Sequence, residues 1–229
     1  MIRGLIKRIK EAMKYKLLIF DLDGTIIDSK IDIAHSVNLT FEEIGQPKQD
    51  IELISKHVGL GIGHLLRKCL PEGINLEDIP NAKKIFLTHY ENNVCEKTKL
   101  YPGVFEGLGE LTGYKKAILS NKPEKLSLMC LKQLGILAHF PQIIGGDTFE
   151  EKKPDPMGIN VLKDYYQITP NEILMIGDSE VDIQTGINAR VDTALVTYGF
   201  RSEDELNHVD ATIQFNCFND LLKWIKKSE

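Results

Sequence analysis

The sequence predicts an α/β fold: a doubly wound, Rossmann-like parallel sheet with an all-helical domain inserted after its first strand. Three observations carry this. Short apolar runs end abruptly in polar or glycine residues. Helical stripes lie between those runs. From 29 to 99, helical periodicity alone is found. Strands alternating with helices are the pattern of a parallel sheet covered on both faces.

Each element follows from local patterning. Residues 1–16 carry six basic groups (Arg3, Lys7, Arg8, Lys10, Lys14, Lys16) against one acid, Glu11. Ile2, Leu5, Ile6, Ile9 and Met13 fall near helical spacing, which predicts a basic amphipathic extension. Such a helix covers a core or touches a membrane surface, and its apolar residues are too interrupted for a signal-peptide core. The run 16–20 (KLLIF) predicts the first strand, ending at Asp21. Four helices are then expected. Ile33, Val37, Phe41 and Ile44 form a stripe closed by Gly45 and Pro47. The others run over 51–57, around Leu65, Leu66, Cys69 and Leu70 up to Pro71, and through Ile79, Ala82, Phe86 and Tyr90. A block of this length is large enough for a small domain. The expected division is therefore 1–16 as an extension, 17–28 with 100–229 as an α/β core, and 29–99 as the helical insert.

Beyond the insert the alternation resumes. A strand at 116–119 (KAIL) ends at Ser120, and the stripe Leu126, Met129, Cys130 and Leu134 runs from Pro123 to Gly135. A strand at Gln142–Ile144 precedes the stripe Ile159, Leu162 and Tyr166. Strands at 173–176 (ILMI) and 193–196 (TALV) end in Gly177-Asp178 and Thr197.

The chain has 229 residues, 42% apolar and 27% charged, with a net charge of -5. There is no global basic field, so nucleic acid is not expected as a partner. No apolar run approaches the ~18 residues of a membrane span. Cys69, Cys95, Cys130 and Cys217 are widely spaced, with no CxxC pair. That argues against a zinc site or a disulfide framework and suits a reducing cytoplasm. A monomer and a homodimer are both compatible with these features.

Ligands of open parallel sheets bind outside the carboxyl ends of the strands. The residues just past the strands are Asp21 and Asp23, Ser120 and Asn121, and Asp178 with Asp182; Lys153 lies in the loop Lys152-Lys153-Pro154-Asp155-Pro156. In Asp21-Leu22-Asp23-Gly24-Thr25, an ionised Asp at a strand end is a nucleophile toward phosphorus. A second Asp two residues on can protonate a leaving group and then take a proton from water. Gly24 permits a tight turn that brings N–H groups near an anion. DxDG also occurs in calcium loops and plain turns. Asp178 and Asp182 read equally as helix-capping groups or as metal ligands. Acids meeting at one sheet edge repel each other, and an oxygen-only donor set suits Mg²⁺. Two unit charges ~4 Å apart at an effective dielectric of ~20 interact by about 4 kcal/mol, so a carboxylate attacking a phosphate needs cations and donors nearby. Lys153 supplies the charge, and Ser120 and Asn121 supply donors. Acids, hydroxyl and lysine together in four post-strand loops point to phosphoryl transfer.

With these motifs the chain resembles the haloacid dehalogenase superfamily, through Asp21-Leu22-Asp23-Gly24-Thr25, Ser120-Asn121-Lys122, Lys153-Pro154-Asp155-Pro156 and Gly177-Asp178-Ser179-Glu180-Val181-Asp182. Order and spacing match from Lys16 to Lys226. Tyr101-Pro102-Gly103-Val104, Pro123 after the lysine, Asp182-Ile183-Gln184 and Thr197-Tyr198-Gly199-Phe200 are similar to the phosphoglycolate phosphatase branch. The resemblance implies an aspartyl-phosphate on Asp21, Asp23 as general acid and base, and Lys153 steadying both nucleophile and phosphoryl group. It implies Mg²⁺ held by Asp21, the Asp23 carbonyl and Asp178, with Asp182 and Thr25 in support. Ser120, Asn121 and Gly24 would bind phosphate, and 29–99 would be a mobile cap. The substrate implied is a small phosphorylated metabolite such as 2-phosphoglycolate. The same core also serves phosphomutases, pyrophosphatases and nucleotidases, and a non-catalytic binder acting through a partner is the alternative of another class. Asp23 counts against a dehalogenase, which needs no leaving-group acid. Arg190 departs from the family, which often has Gly there. In the cap, Val58-Gly59-Leu60-Gly61-Ile62-Gly63 is similar to the loop that faces the active site, and Gly61, His64 and Arg67 are the candidates to meet a substrate carboxylate.

Overall fold

The structure, a computed structural model, describes residues 14–70 and 79–227. The helix expected over 1–16 lies, as far as residue 13, outside the described residues. Residues 14–16 run irregularly into the first strand, and the Lys14 ammonium and the Tyr15 hydroxyl reach Asp192 at 2.7 and 2.8 Å.

In chain order the strands are β1 (Leu17–Phe20), β2 (Ile27–Asp28), β3 (Lys99–Leu100), β4 (Lys115–Leu119), β5 (Gln142–Ile144), β6 (Ile173–Gly177), β7 (Asp192–Val196) and β8 (Ile213–Phe215). Six of them form one parallel sheet in the order β5-β4-β1-β6-β7-β8. Side chains of successive residues go to opposite faces. Leu18, Phe20, Ile118, Leu174 and Ile176 join one core cluster, whereas Leu17, Ile19, Ala117, Leu119, Ile173 and Met175 join another. Both faces are covered, which is why these strands read as continuous apolar runs.

The order also fixes the site. From β1 the chain moves outward to β4 and β5, then returns to β6 on the other side and continues to β8. This reversal at β1 is the switch point where a crevice opens at the carboxyl edge. Register makes the three inner strands end together: Leu17–Phe20 pair residue for residue with 115–118 and 173–176.

The helices among the described residues are α1 (Lys30–Glu43), α2 (Ile51–Lys56), α3 (Ile62–Cys69), α4 (Ile79–Asn93), α5 (Val104–Glu110), α6 (Glu124–Gln133), α7 (Met157–Tyr166), α8 (Glu180–Ala189), α9 (Glu203–Leu206) and α10 (Phe218–Lys227). Helices α1–α4 form the insert. It leaves and returns through the antiparallel ribbon β2–β3, in which Ile27 pairs with Leu100 and Asp28 with Lys99. The buried Asp32 carboxylate fastens the return: it accepts from the backbone N–H of Lys97 and Thr98 and from the Thr98 hydroxyl at 2.6–3.1 Å. Ile33, Val37, Phe41, Leu66, Phe86 and Tyr90 of the insert share a buried cluster with the sheet face of Phe20 and Ile118.

The five strands expected are present, within a residue at each end. The ribbon β2–β3, strand β8 and helices α5, α9 and α10 are additions. The two-residue ribbon strands are too short to show periodicity, whereas α10 carries a legible stripe of Phe218, Leu221, Leu222 and Ile225, all buried. Arg190 ends α8 at φ 59, the left-handed conformation that glycine adopts most easily. The departure from the family pattern is thus absorbed by a non-glycine residue in the same backbone geometry. No helix among the described residues is long and apolar enough to cross a membrane, and the four cysteines are free.

Candidate active site

Three carboxylates converge at the sheet edge. Oxygens of Asp21, Asp178 and Asp182, all buried, lie within 4.8 Å of one another. Asp21 directly follows β1, and its N–H donates to the Ile176 carbonyl at 2.8 Å. Asp178 directly follows β6. Asp182 is the third residue of α8 and belongs to a capping box: one oxygen accepts from the Ser179 N–H and hydroxyl at 3.1 and 2.6 Å. Its other oxygen takes the Lys153 ammonium at 2.5 Å. One carboxylate thus caps the helix with one oxygen and meets the buried lysine with the other. The helix begins after Asp178, so the two acids meet across a helix N-terminus.

Lys153 is the buried cation of the cluster, with its Nζ also 2.8 Å from Asp21 Oδ1. That contact is an ion pair without hydrogen-bond alignment, so the oxygen has no hydrogen-bond donor among the described residues. Burial works against the lysine's charge, yet Asp182 and Asp21 together hold its pKa above the ordinary value. Burial pushes Asp21 up to about 6 despite the pull of Lys153. Burial, then repulsion from Asp182 and Asp21, pushes Asp178 up to about 8. Three carboxylates against one ammonium leave a deficit of positive charge. A divalent cation fits these oxygen donors and would remove that deficit.

Room for Asp178 is made by glycine. Gly24 has φ +89, and a Cβ there would lie 2.2 Å from Asp178 Oδ2. Gly199 is as close, since a Cβ there would meet Asp178 Cβ at 2.3 Å. The Phe200 N–H donates to Asp178 at 2.8 Å, and the Thr25 hydroxyl stands 3.5 Å away. Gly24 is expected to permit a tight turn that brings N–H groups near phosphate; its own N–H donates to the Ile27 carbonyl at 2.9 Å within that turn.

The Asp23 carboxylate points elsewhere. It accepts from the Ser29 hydroxyl at 2.5 Å and from the Lys122 ammonium at 3.0 and 3.2 Å. Lys122 is buried, lies 4.4 Å from the centre of the Tyr90 ring and donates to the Tyr90 hydroxyl. Burial opposes its charge, but Asp23 and Tyr90 hold its pKa well above normal. The sequence reading quoted Lys122 within a motif and Tyr90 within a helical stripe and gave neither a role. The only signal was adjacency to Ser120, because the contacts cross 99 and 32 residues of chain.

Ser120 follows β4, and its hydroxyl accepts from the Lys122 N–H at 3.4 Å, leaving the hydroxyl proton to donate. Asn121 was expected beside phosphate. Both its donors are used, on the carbonyls of Gly59 at 2.8 Å and Lys153 at 2.9 Å. It ties the insert's loop to the lysine loop, and its buried Oδ1 has no partner among the described residues. The Ser120 hydroxyl thus keeps its proton to donate, whereas the donors of Asn121 are engaged by backbone carbonyls.

The loop 58–61 closes the crevice. Three successive carbonyls accept from three core side chains: Val58 from Arg201, Gly59 from Asn121, and Leu60 from Lys152 at 2.9 Å. Gly61 has φ +86, and a Cβ there would lie 2.7 Å from Lys152 Nζ. Between loop and sheet edge is a cavity of about 480 Å³, open mouth included, floored by Asp21, Asp23, Ser120 and Lys122 and walled by Ile33, Leu65, Phe86 and Tyr90. Gly61 lines it, whereas Arg67 is exposed on α3 and, like His64, is not among its lining residues.

Comparison with known proteins gives the same assignment. The chain is 34% identical over 225 residues to a phosphoglycolate phosphatase of Psychrobacter arcticus, covering 94% of this chain and 98% of that one. It is 36% identical over 187 residues to a phosphoglycolate phosphatase of Aquifex aeolicus, covering 81% and 86%. A crystal structure from Haemophilus somnus described as a predicted phosphoglycolate phosphatase superposes with a TM-score of 0.85 at 30% identity, covering 92% and 98%. The model of the haloacid dehalogenase-like hydrolases matches residues 18–196, and with the acids, lysine and serine at the switch point the chain belongs to that family.

Proposed function

We propose that the protein is a Mg²⁺-dependent phosphomonoesterase that works through an aspartyl-phosphate on small phosphorylated metabolites, with 2-phosphoglycolate the leading substrate. One observation supports this best: two aspartates two residues apart have separate surroundings, each with its own buried lysine. Asp21 lies in the carboxylate cluster with Lys153, and Asp23 is turned away onto Ser29 and Lys122. An acid inside the cluster can meet phosphorus beside a bound cation, and one outside it can exchange a proton with the leaving group. The names of the relatives support the substrate.

The residues act in sequence. Asp21 attacks phosphorus, the bond to the ester oxygen breaks, and Asp23 gives that oxygen a proton. Water then attacks the aspartyl-phosphate, Asp23 takes its proton back, and Asp21 and inorganic phosphate are released. Ser120 and Lys153 hold the phosphoryl oxygens as charge shifts among them. The carboxylates of Asp21 and Asp178 and the Asp23 carbonyl would hold the metal, with Asp182 and Thr25 supporting. When bound, it supplies the positive charge that lets a carboxylate approach a phosphate. We assign 29–99 as the cap, with 17–28 and 100–229 as the core; closure of the 58–61 loop excludes bulk water.

The test is phosphate release from a panel including 2-phosphoglycolate, nucleoside monophosphates, hexose phosphates and pyrophosphate. Asp21→Asn should lower turnover to background, and EDTA should do the same reversibly. Release that persists in Asp21→Asn would refute the assignment.

A further inference from the structure

The cavity holds one cation among its described lining residues, Lys122. The insert contributes Ile33, Val58, Ile62, Leu65, Phe86 and Tyr90 to the lining, and of their side chains only Tyr90 is polar. The Lys122 ammonium and the Tyr90 hydroxyl are hydrogen-bonded, and both residues are buried. Together they make one polar spot in an apolar wall, directly beside Asp23.

This placement bears on the leaving group, and the inference rests on the phosphomonoesterase reading above. With phosphorus at Asp21, the bridging oxygen lies at Asp23, which must protonate it. Atoms attached to that oxygen then extend past Asp23 toward its neighbours, Lys122 and Tyr90. The Lys122 ammonium donates to Asp23 and to the Tyr90 hydroxyl, and its remaining proton favours an anion over a neutral hydroxyl, because charge-assisted hydrogen bonds are the stronger ones. The rest of the described lining offers the apolar Ile33, Leu65 and Phe86, with Ser120 and Asn121 the only further uncharged polar side chains, too few for the several hydroxyls of a sugar, which would be left unpaired at a penalty. We infer that Lys122, assisted by the Tyr90 hydroxyl, is the specificity-determining group, and that it selects short phosphate esters bearing a carboxylate one or two carbons from the ester oxygen. Arg67, exposed on α3, is not needed for this recognition.

The experiment compares 2-phosphoglycolate with 2-hydroxyethyl phosphate, which has a hydroxymethyl group in place of the carboxylate. The quantity read is the ratio of their kcat/KM values, using full-length protein and Mg²⁺. Any general damage to Asp23 lowers both values and cancels in the ratio. The unsubstituted protein should favour the carboxylate by at least ~100-fold, as expected where a buried polar group is left unpaired by the wrong ligand. Lys122→Gln should bring the ratio within ~5-fold of unity, mainly through KM of the carboxylate ester, and Lys122→Arg should recover part of the preference. Tyr90→Phe should lower the ratio several-fold. As a measurement needing no variant, glycolate should inhibit the unsubstituted protein competitively at concentrations where ethylene glycol does not. A ratio near unity in the unsubstituted protein, or a ratio unmoved by Lys122→Gln, would overturn the inference while leaving the phosphatase reading intact. Hydrolysis of neither ester, nor of any other in the panel, would overturn both.

Discussion

A carboxylate buried among other carboxylates holds its place only if its neighbours stay small. Asp178 has Gly24 and Gly199 against it, each too close to bear a side chain. Gly24→Ala adds a methyl group 2.2 Å from Asp178 Oδ2 on a backbone at φ +89. We expect a destabilisation of about 2 kcal/mol from the strained conformation alone. Displacement of the carboxylate should reduce kcat by ~100-fold, the usual effect of misplacing a group by ~1 Å. Thermal unfolding and steady-state rates check this; an unchanged kcat would mean that Gly24 does not position Asp178. At this scale the sequence was legible where a residue's role follows from ending a strand. Asp21, Ser120 and Asp178 lie where the apolar runs stop, and such positions meet at the switch point. Partners fixed by tertiary packing were not legible. Nothing near Asp23 in sequence announces Lys122 or Tyr90, and nothing in Ser-Asn-Lys shows that the Asn121 donors turn toward Gly59 and Lys153.

At the scale of elements, the insert is attached by contacts of two kinds. The ribbon and the Asp32 carboxylate fix its base to the core with backbone pairing and buried hydrogen bonds. Its leading loop is held more lightly, by Arg201, Asn121 and Lys152 on three neutral carbonyls. A cation bound to a carbonyl at a partly exposed site contributes modestly, so these ties favour closure while permitting release. Arg201 also reaches the Ser55 carbonyl at 3.4 Å, so it holds both ends of the turn. Arg201→Ala should raise KM by ~3–10-fold, equivalent to losing about 1 kcal/mol of closure. Amide hydrogen exchange across 55–61 should accelerate, with exchange in β1 and β6 unchanged. Unaltered exchange in the loop would show that the arginine does not hold it. The helices of the insert were legible because their stripes are long. The ribbon was not, since two-residue strands carry no period, whereas α10 carries a clear stripe of Phe218, Leu221, Leu222 and Ile225.

Across the whole molecule, burial of the site links stability to protons and metal. Asp21 is pushed up to about 6 and Asp178 to about 8, so the folded protein binds these protons more tightly than the unfolded chain does. Below the ordinary carboxylate range both states are protonated, and the full benefit of that tighter binding is present. As pH rises through about 6 and then about 8, the folded state must give up its protons into a crowded, buried cluster, and the benefit is lost. The metal-free protein should therefore lose stability from pH ~5 to pH ~8 through these two groups. A divalent cation binds the deprotonated carboxylates and competes with the protons, so its effect should run the other way. At a concentration ~100 times Kd, Mg²⁺ adds about 2.7 kcal/mol to the stability of a protein that binds it only when folded. The increment in melting temperature on replacing EDTA with Mg²⁺ should accordingly be large at pH ~8 and small at pH ~5. Asp178→Asn, which removes the most perturbed acid, should flatten the metal-free pH dependence and diminish the Mg²⁺ increment at pH ~8 together. If the increment were equal at both pH values, the acids would not be the groups that hold the metal. If the variant kept the steep metal-free profile, the loss of stability would originate outside this cluster.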